Sequence, residues 1–516
     1  MRICLISREY PPDTGWGGIA TFTNNLALGL AGLGHEVEVV ALAIDKPKTM
    51  LQGGVRVHRV PPFAFKGGLG RVNMTMPYTW YVLRTSFALW QKFLELHQER
   101  AFDVVDTPEL LAEGLFPAAT RVAPLVIRLY TPHSKFIAER LHNVTPSFDH
   151  QSVALFERVA MLSADLLTSP SNDLADYVAS DLNYERDKIR IVHNPIDTDL
   201  FSPELPESRT SSGQPSVLFV GRLEERKGIN YLIDAVPRAV AAVPNVRFVI
   251  IGSDTNNAGG QKSVLAELRR SLKRSGCEHS VQFIPQVSLE ELPAYYRSAD
   301  VCVVPSVYDN SPYTCLEAMS CGKPVVGTTS GGTAEYLGEA GLLVPARDST
   351  ALAEAIIRLL RDPELQAQLG AAARRRVLER FRRSEIARQT VELYELAREH
   401  FRFENRSALY LRSSSQALPD AHELLFSFDK ALFDLMYTIS WRVRLNHWFT
   451  LLRTRPRLLA AKVLLRFANS VLNCFGWGDR EAPAAIVWLD REVRSRQLSA
   501  LEDSKCPEAM AVSGRR

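Results

Sequence analysis

The chain has 516 residues, 46% of them hydrophobic and 23% charged, with a formal net charge of +3. Single cores rarely grow to this size, so the length predicts two domains plus an appendage. The near-balanced charge excludes a nucleic-acid-binding polycation, and the ordinary composition excludes a disordered or fibrous chain. The seven cysteines form no Cys-x-x-Cys pair and several sit in apolar runs, which predicts buried reduced thiols and no metal site.

The N-terminal apolar run in MRICLISREYPP is too short for a signal peptide and predicts a buried first strand that stops at Tyr10-Pro11-Pro12. No apolar run of about 18 residues follows, so no transmembrane helix is predicted. ICLIS leads into a glycine-rich turn and a helix from about Ile19 to Gly32, then come EVEVVAL, VRVHRV, DVVDT, LVIRLY, LLTSP and IRIVHN. Short apolar strands alternating with helical stretches predict parallel strands with crossover helices, a doubly wound α/β sheet. The rhythm breaks between Pro61 and Arg100. Phe63 to Arg71 reads as a basic loop, and Tyr78 to Leu96 as an aromatic helix carrying Trp80, Tyr81, Phe87 and Trp90.

The polar, Pro- and Ser-rich stretch HNPIDTDLFSPELPESRTSSGQPS reads as an interdomain linker. Alternation then restarts with SVLFVG, VRFVIIG, VQFI, VCVVPS and PVVGTT. The predicted division is one Rossmann-like domain over 1–193, a linker over 194–215 and a second Rossmann-like domain over 216–383. A helix over 384–402 closes this two-domain unit, and a basic, mostly helical extension follows over 403–516. From Leu435 to Gly478 the extension has seven Arg or Lys and no acid, interleaved with Trp441, Trp448, Phe449 and Phe467.

Three motifs carry chemistry. Gly15-Trp16-Gly17-Gly18 follows the first strand and opens a helix, where glycines allow close backbone approach and exposed amides attract anions. A plain tight turn explains the same residues. GRLEERKG follows SVLFV, which places Arg222 and Lys227 at the carboxyl end of a strand, where open α/β sheets bind ligands. They suit a diphosphate, with two solvated surface cations as the alternative. In DNSPYTCLEAM, Asp309 lies in a loop and Glu317 in a helix starting near Thr314, so two carboxylates accept hydrogen bonds from sugar or ribose hydroxyls. The alternative is that Asp309 only caps its turn. Asp197-Thr198-Asp199 has the spacing of a metal motif but reads as a turn beside Pro195.

Over roughly residues 1–400 the chain resembles the retaining GT-B glycosyltransferases of glycosyltransferase family 4, the glycosyl transferases group 1. The resemblance rests on GGIATF, HNPIDTDLF, GRLEERKG and DNSPYTCLEAMSCGKPVV followed by GGTAEYL, in that order. It implies a GT-B fold in which two Rossmann-like domains face each other across a cleft. It implies that Glu317 binds ribose, that Arg222 and Lys227 bind the diphosphate and stabilise the leaving group, and that Asp309 contacts the donor sugar. Gly17, Gly18, Gly331 and Gly332 are then near the sugar or phosphates, with Ser330 in the same turn as Gly331 and Glu335 just beyond. His133 is near the sugar, and the backbone of Val287 meets the base. The family's pattern is Glu-x7-Glu, whereas Asp309 here shortens the first arm by one methylene.

The resulting expectation is sugar transfer from a nucleotide diphosphate sugar to an acceptor hydroxyl, with retention at the anomeric carbon and no metal or other cofactor. The acceptor is a glycan, a lipid-linked molecule or a small molecule, and no nucleic acid is a partner. Phe63 to Arg71 and the helix with Trp80 and Trp90 are the acceptor-side candidates. A catalytically silent GT-B scaffold and a nucleotide-sugar epimerase are the competing readings. The expected location is cytoplasmic. The extension is read either as helices covering the catalytic unit or as peripheral contact with the inner face of a membrane.

Overall fold

The computed structural model describes residues 1–14, 17–63, 76–140, 147–203, 213–255 and 263–404. The extension after residue 404, most of the loop from Phe63 to Arg71, and Gly15 and Trp16 lie outside the described residues. The described residues of 1–63 and 82–404 belong to one compact unit that holds both sheets.

The first sheet uses β1 (Arg2–Ile6), β2 (Glu36–Leu42), β3 (Lys48–Gln52), β4 (Val55–Val60), β5 (Val104–Pro108), β6 (Leu125–Arg128), β7 (Leu166–Ser169) and β8 (Ile189–Ile191). Its order is β3-β4-β2-β1-β5-β6-β7-β8, parallel except where β3 folds back on β4. Ile3 on β1 lies opposite Val37 on one side and Val104 on the other. Every residue of β1 is buried or nearly so, as expected of a central strand covered on both faces.

The second sheet uses β9 (Ser216–Val220), β10 (Arg247–Ile251), β11 (Val281–Ile284), β12 (Val301–Val304), β13 (Val325–Thr328) and β14 (Leu342–Val344). All its pairings are parallel, in the order β11-β10-β9-β12-β13-β14. Counted from β9 this is the Rossmann order, whose direction reverses between β9 and β12 and leaves a crevice at their carboxyl ends. In the first sheet the reversal falls between β1 and β5.

The crossover helices α1 (Gly18–Gly32), α2 (Pro77–Glu99), α3 (Leu115–Thr120), α4 (His133–Arg140), α5 (Phe148–Leu162) and α6 (Asn172–Leu182) belong to the first half. The second half has α7 (Ile229–Ala242), α8 (Val264–Arg274), α9 (Leu292–Ser298), α10 (Tyr313–Ser320), α11 (Thr333–Leu337), α12 (Ser349–Arg361) and α13 (Pro363–Arg380), and α14 (Arg383–Glu404) ends the described chain. On α7, Ile229, Leu232, Ile233 and Val236 make one apolar stripe that packs with Leu352, Ile356 and Leu359 of α12. Truncating one of these to alanine costs about 2–5 kcal/mol.

The helix expected after Ser384 forms and packs on the first half. Ala387, Tyr394 and Ala397 of α14 share a core with Ile3, Phe22 and Leu26 of the first. The Tyr394 hydroxyl donates to Asp106 Oδ2 of β5 at 2.6 Å. Gly29 makes the close approach possible, since a Cβ there would lie 2.7 Å from the Arg383 carbonyl oxygen. The chain thus crosses between the halves twice, once after β8 and once before α14.

Sequence pattern missed the short edge strands. In β3 the run KTMLQ is mostly exposed, and β14 has three residues, so neither shows a buried period. The five described cysteines are buried, as expected. Among the described residues, no helix is long and apolar enough to cross a membrane.

Candidate active site

The crevice of the second sheet collects most of the expected residues. Arg222 follows β9 and remains largely exposed at its strand end, its Nη2 3.2 Å from Glu224 Oε1. Lys227 ends a short 3₁₀ turn, Glu225–Lys227, and then Gly228 opens α7 with φ of +71°. A side chain at Gly228 would overlap the Pro305 carbonyl, so glycine is what lets the β9 and β12 loops touch.

Asp309 sits in the loop after β12, which brings it beside Lys227. Lys227 Nζ donates to Asp309 Oδ2 at 2.5 Å, and Arg226 Nη1 lies 4.0 Å from the same oxygen. Asp309 Oδ1 accepts the Ser311 amide at 3.4 Å, so the acid both shapes its turn and pairs with a cation. Burial opposes its ionisation, but Lys227, Arg226 and the hydrogen bonds prevail and hold the carboxyl below its ordinary value.

Glu317 lies on α10, buried, with Oε2 accepting the Tyr296 hydroxyl at 2.7 Å. Burial pushes it up to about 7, while Tyr296 and Lys227 pull the other way. Their surroundings therefore push the two acids in opposite directions, although one helical turn and a loop separate them.

A second turn closes over the loop from behind. The Gly332 amide donates to the Asp309 carbonyl at 2.9 Å, and Ser330 Oγ donates to the Val307 carbonyl at 2.6 Å. Gly331 has φ of +62°, and side chains at Gly331 and Gly332 would overlap the carbonyls of Asp309 and Asn310. Val287 lies in the loop between β11 and α9, half-buried against the lower core of this half. Glu335 is not at the crevice. It accepts from the Asn172 amide at 2.8 Å and pairs with His193 Nε2 at 2.8 Å, joining the two halves.

In the first half, Gly17 caps α1 and Gly18 is its first residue. A Cβ on Gly17 would lie 3.0 Å from Glu9 Oε2, and one on Gly18 would meet nothing within 4 Å. His133 begins α4 and is buried, its Nε2 2.8 Å from His150 Nδ1 and its amide donating to Glu157 Oε2 at 2.6 Å. Burial and then His150 push its imidazole down to about 4, so the ring is neutral at neutral pH.

Two candidates are explained by packing. Trp90 is buried among Phe87 and Phe116, with Nε1 donating to Thr120 Oγ1 at 3.2 Å, so it is core and not an acceptor platform. Asp197 Oδ1 accepts the amides of Asp199 and Leu200 at 3.1 Å each, and its Oδ2 is 2.9 Å from Arg383 Nη2. That is the turn expected from the sequence, with an ion pair to Arg383 that the sequence did not suggest.

Three residues escaped sequence reasoning. Arg226 bridges Glu224 and the Tyr308 carbonyl, Tyr296 holds Glu317, and Asn310 reaches into the first half. Arg226 had a signal, as a cation between two others in GRLEERKG. Tyr296 and Asn310 had none, because their partners are distant in sequence.

Two doubly wound sheets, with cations and acids at the reversal point of the second, define the GT-B class of glycosyltransferase. Residues 16–200 match the family described as Glycosyltransferase Family 4, and residues 214–362 match the one described as Glycosyl transferases group 1. The chain belongs to glycosyltransferase family 4. An alpha-maltose-1-phosphate synthase of Mycolicibacterium smegmatis is 31% identical over 417 residues, 76% of this chain and 99% of that protein. An uncharacterised glycosyltransferase of Methanocaldococcus jannaschii is 29% identical over 418 residues, 77% and 99% of the two chains. Among solved structures, a sucrose-phosphate synthase from Thermosynechococcus elongatus superposes with a TM-score of 0.60 at 26% identity, covering 76% of this chain and 98% of that one.

Proposed function

We propose that this glycosyltransferase moves a hexose from a nucleotide diphosphate sugar to an acceptor hydroxyl, with retention at the anomeric carbon. The observation that carries the reading is the convergence at one strand reversal of Arg222, Lys227, Asp309 and Glu317. A ribose suits Glu317, whose carboxylate has lone pairs beyond the one that Tyr296 uses. A diphosphate suits Arg222, at the exposed strand end, and Lys227, whose ammonium exchanges Asp309 for a phosphate oxygen. Departure of the diphosphate leaves charge on the leaving oxygen, and the cations at the crevice stabilise it.

Asp309, released from Lys227 by the phosphates, then faces the donor sugar. Gly17 and Gly18 leave room for the donor on the opposite wall, and Gly331, Gly332 and the backbone of Val287 complete the donor site. His133, neutral at neutral pH, offers its ring or its carbonyl to sugar hydroxyls and does not act as an acid. No side chain is assigned as nucleophile or general base. The departing phosphate takes the acceptor proton, the acceptor attacking from the leaving-group face, and no metal or other cofactor is invoked. The acceptor is a glycan, a lipid-linked molecule or a small molecule, met on the first-half side. The expected location is cytoplasmic.

The test is to offer UDP-, GDP- and ADP-sugars with candidate acceptors and to follow nucleotide release and products by mass spectrometry. Glu317→Ala is the control, and the anomeric configuration of the product is read by NMR. Transfer with retention supports the reading. An inverted centre overturns the mechanism, and binding without any transfer favours a silent scaffold.

A further inference from the structure

The loop that carries Asp309 is held from both halves of the molecule. On one side of Asp309, the Tyr308 hydroxyl donates to Asp173 Oδ2 at the start of α6, at 2.5 Å. The Tyr308 ring also lies under the Lys135 ammonium, 4.1 Å from its centroid, and Lys135 belongs to α4. On the other side, Asn310 Nδ2 donates to the Tyr130 carbonyl, and to Thr131 Oγ1 at 2.7 Å. Tyr130 and Thr131 lie between β6 and His133. Asn310 is 8% exposed, so these bonds form away from bulk water, where losing one is costly.

Within the second half, the loop backbone is tied by the Gly332 amide on the Asp309 carbonyl, by Ser330 Oγ on the Val307 carbonyl, by Thr328 Oγ1 on the Ser306 carbonyl and by the Arg226 contacts. The residues immediately before and after the acid thus take side-chain partners from the opposite half. Glu317, Arg222 and Lys227 have no such ties across the cleft among the contacts described. The two parts of the donor site differ accordingly: one is set by the second half alone, and the other by the two halves together.

We propose that Tyr308 and Asn310 are positioning residues that align Asp309 for the donor sugar only when the two halves are closed on each other. This rests on the donor-site reading above. Nucleotide binding then needs only the second half, whereas sugar transfer needs the Tyr308 and Asn310 bonds. Closure is thereby coupled to the acid itself, and an open molecule holds a donor without a correctly aimed carboxylate. Misplacing a positioned group by about 1 Å can cost roughly 10²-fold in rate, which sets the size of the expected effect.

The test uses the full chain with Tyr308→Phe, which removes one hydroxyl, and Asn310→Leu, which removes the amide donors. Three quantities are read: dissociation constants for UDP, GDP and ADP, kcat with whichever donor is turned over, and hydrogen exchange at the Asn172 amide. That amide bonds Glu335 across the halves and so reports closure without any turnover. Expected are nucleotide affinities within about 3-fold of the parent, kcat lower by roughly 10- to 100-fold, and faster Asn172 exchange. Asp173→Ala should match Tyr308→Phe in kcat, and the double variant should be no worse than either, because both remove one bond.

Unchanged kcat and unchanged exchange overturn the proposal. So does a parallel loss of nucleotide affinity and kcat, which marks a general structural role. Should the parent transfer no sugar at all, the functional reading fails separately. The exchange result then decides the clamp alone: faster exchange in both variants supports it, and parental exchange in both overturns it.

Discussion

The two halves bury carboxylates around the central strands of their doubly wound sheets and give them different partners. In the first half, Glu109, Glu113 and Glu157 are buried and spent on the backbone or on one arginine. Both oxygens of Glu109 accept the Tyr130 amide at 2.8 Å, and Glu157 accepts the amides of Leu111 at 2.7 Å and His133 at 2.6 Å. Glu113 binds Arg8 through Nε at 2.6 Å and through its amide at 3.0 Å. These acids brace a strained turn, since Leu111 and Ala112 have φ of 54° and 51° without being glycine. In the second half, Asp309 and Glu317 sit beside cations and a tyrosine hydroxyl, in bonds that a ligand can exchange. Glu109 and Glu157 are thus held by backbone amides, whereas the printed partners of Glu317 and of Asp309 Oδ2 are side chains.

The largest effect that would break this contrast is loss of Glu317. Glu317→Gln is expected to weaken nucleotide binding by roughly 10²-fold, the worth of about 2–3 kcal/mol of charge-assisted hydrogen bonding, with little change in melting temperature. Lys227→Ala follows, with kcat lower by roughly 10²-fold from the lost leaving-group cation. It also leaves Asp309 beside Arg226 alone, so its carboxyl should titrate higher than in the parent, readable by NMR on the labelled side chain.

The first-half counterpart is Glu157→Ala, which strands two amides. It is expected to lower stability by about 2–4 kcal/mol in chemical denaturation while nucleotide affinity stays within about 3-fold. A further effect is a pH slope. Burial raises Glu109 to about 8 against an ordinary value of 4.5, the amides of Tyr130 and its neighbours partly opposing it. The native state then holds a proton that the unfolded chain releases. Stability from this group is complete below about pH 4.5 and is lost as pH rises through about 8. Glu109→Gln should flatten that part of the stability–pH curve.

Much of the fold was legible because parallel strands buried on both faces read as apolar runs. β1, β2, β9, β12 and β13 all announce themselves in this way. β3 and β14 did not, being edge strands with exposed positions. The placement of α14 was also hidden: its apolar period says that one face is buried, but not against which sheet. At the candidate site, Arg222, Lys227, Asp309 and Glu317 were legible because strand-end position and chemistry coincide. The ion pair of Lys227 with Asp309 was not, since it joins residues brought together only by the reversal between β9 and β12. Nor could the sequence separate the bracing acids from the exchangeable ones. Glu109 and Glu157 carry the same side chain as Glu317, and only the partners in three dimensions tell them apart.

The most direct test of the central claim is calorimetric titration of the full chain with UDP, GDP and ADP, beside Glu317→Gln and Glu157→Gln. At least one nucleotide is expected to bind the parent, Glu317→Gln to weaken it by roughly 10²-fold, and Glu157→Gln to leave it nearly unchanged. Binding that ignores Glu317 and depends on Glu157 would contradict the claim, as would no binding of any of the three.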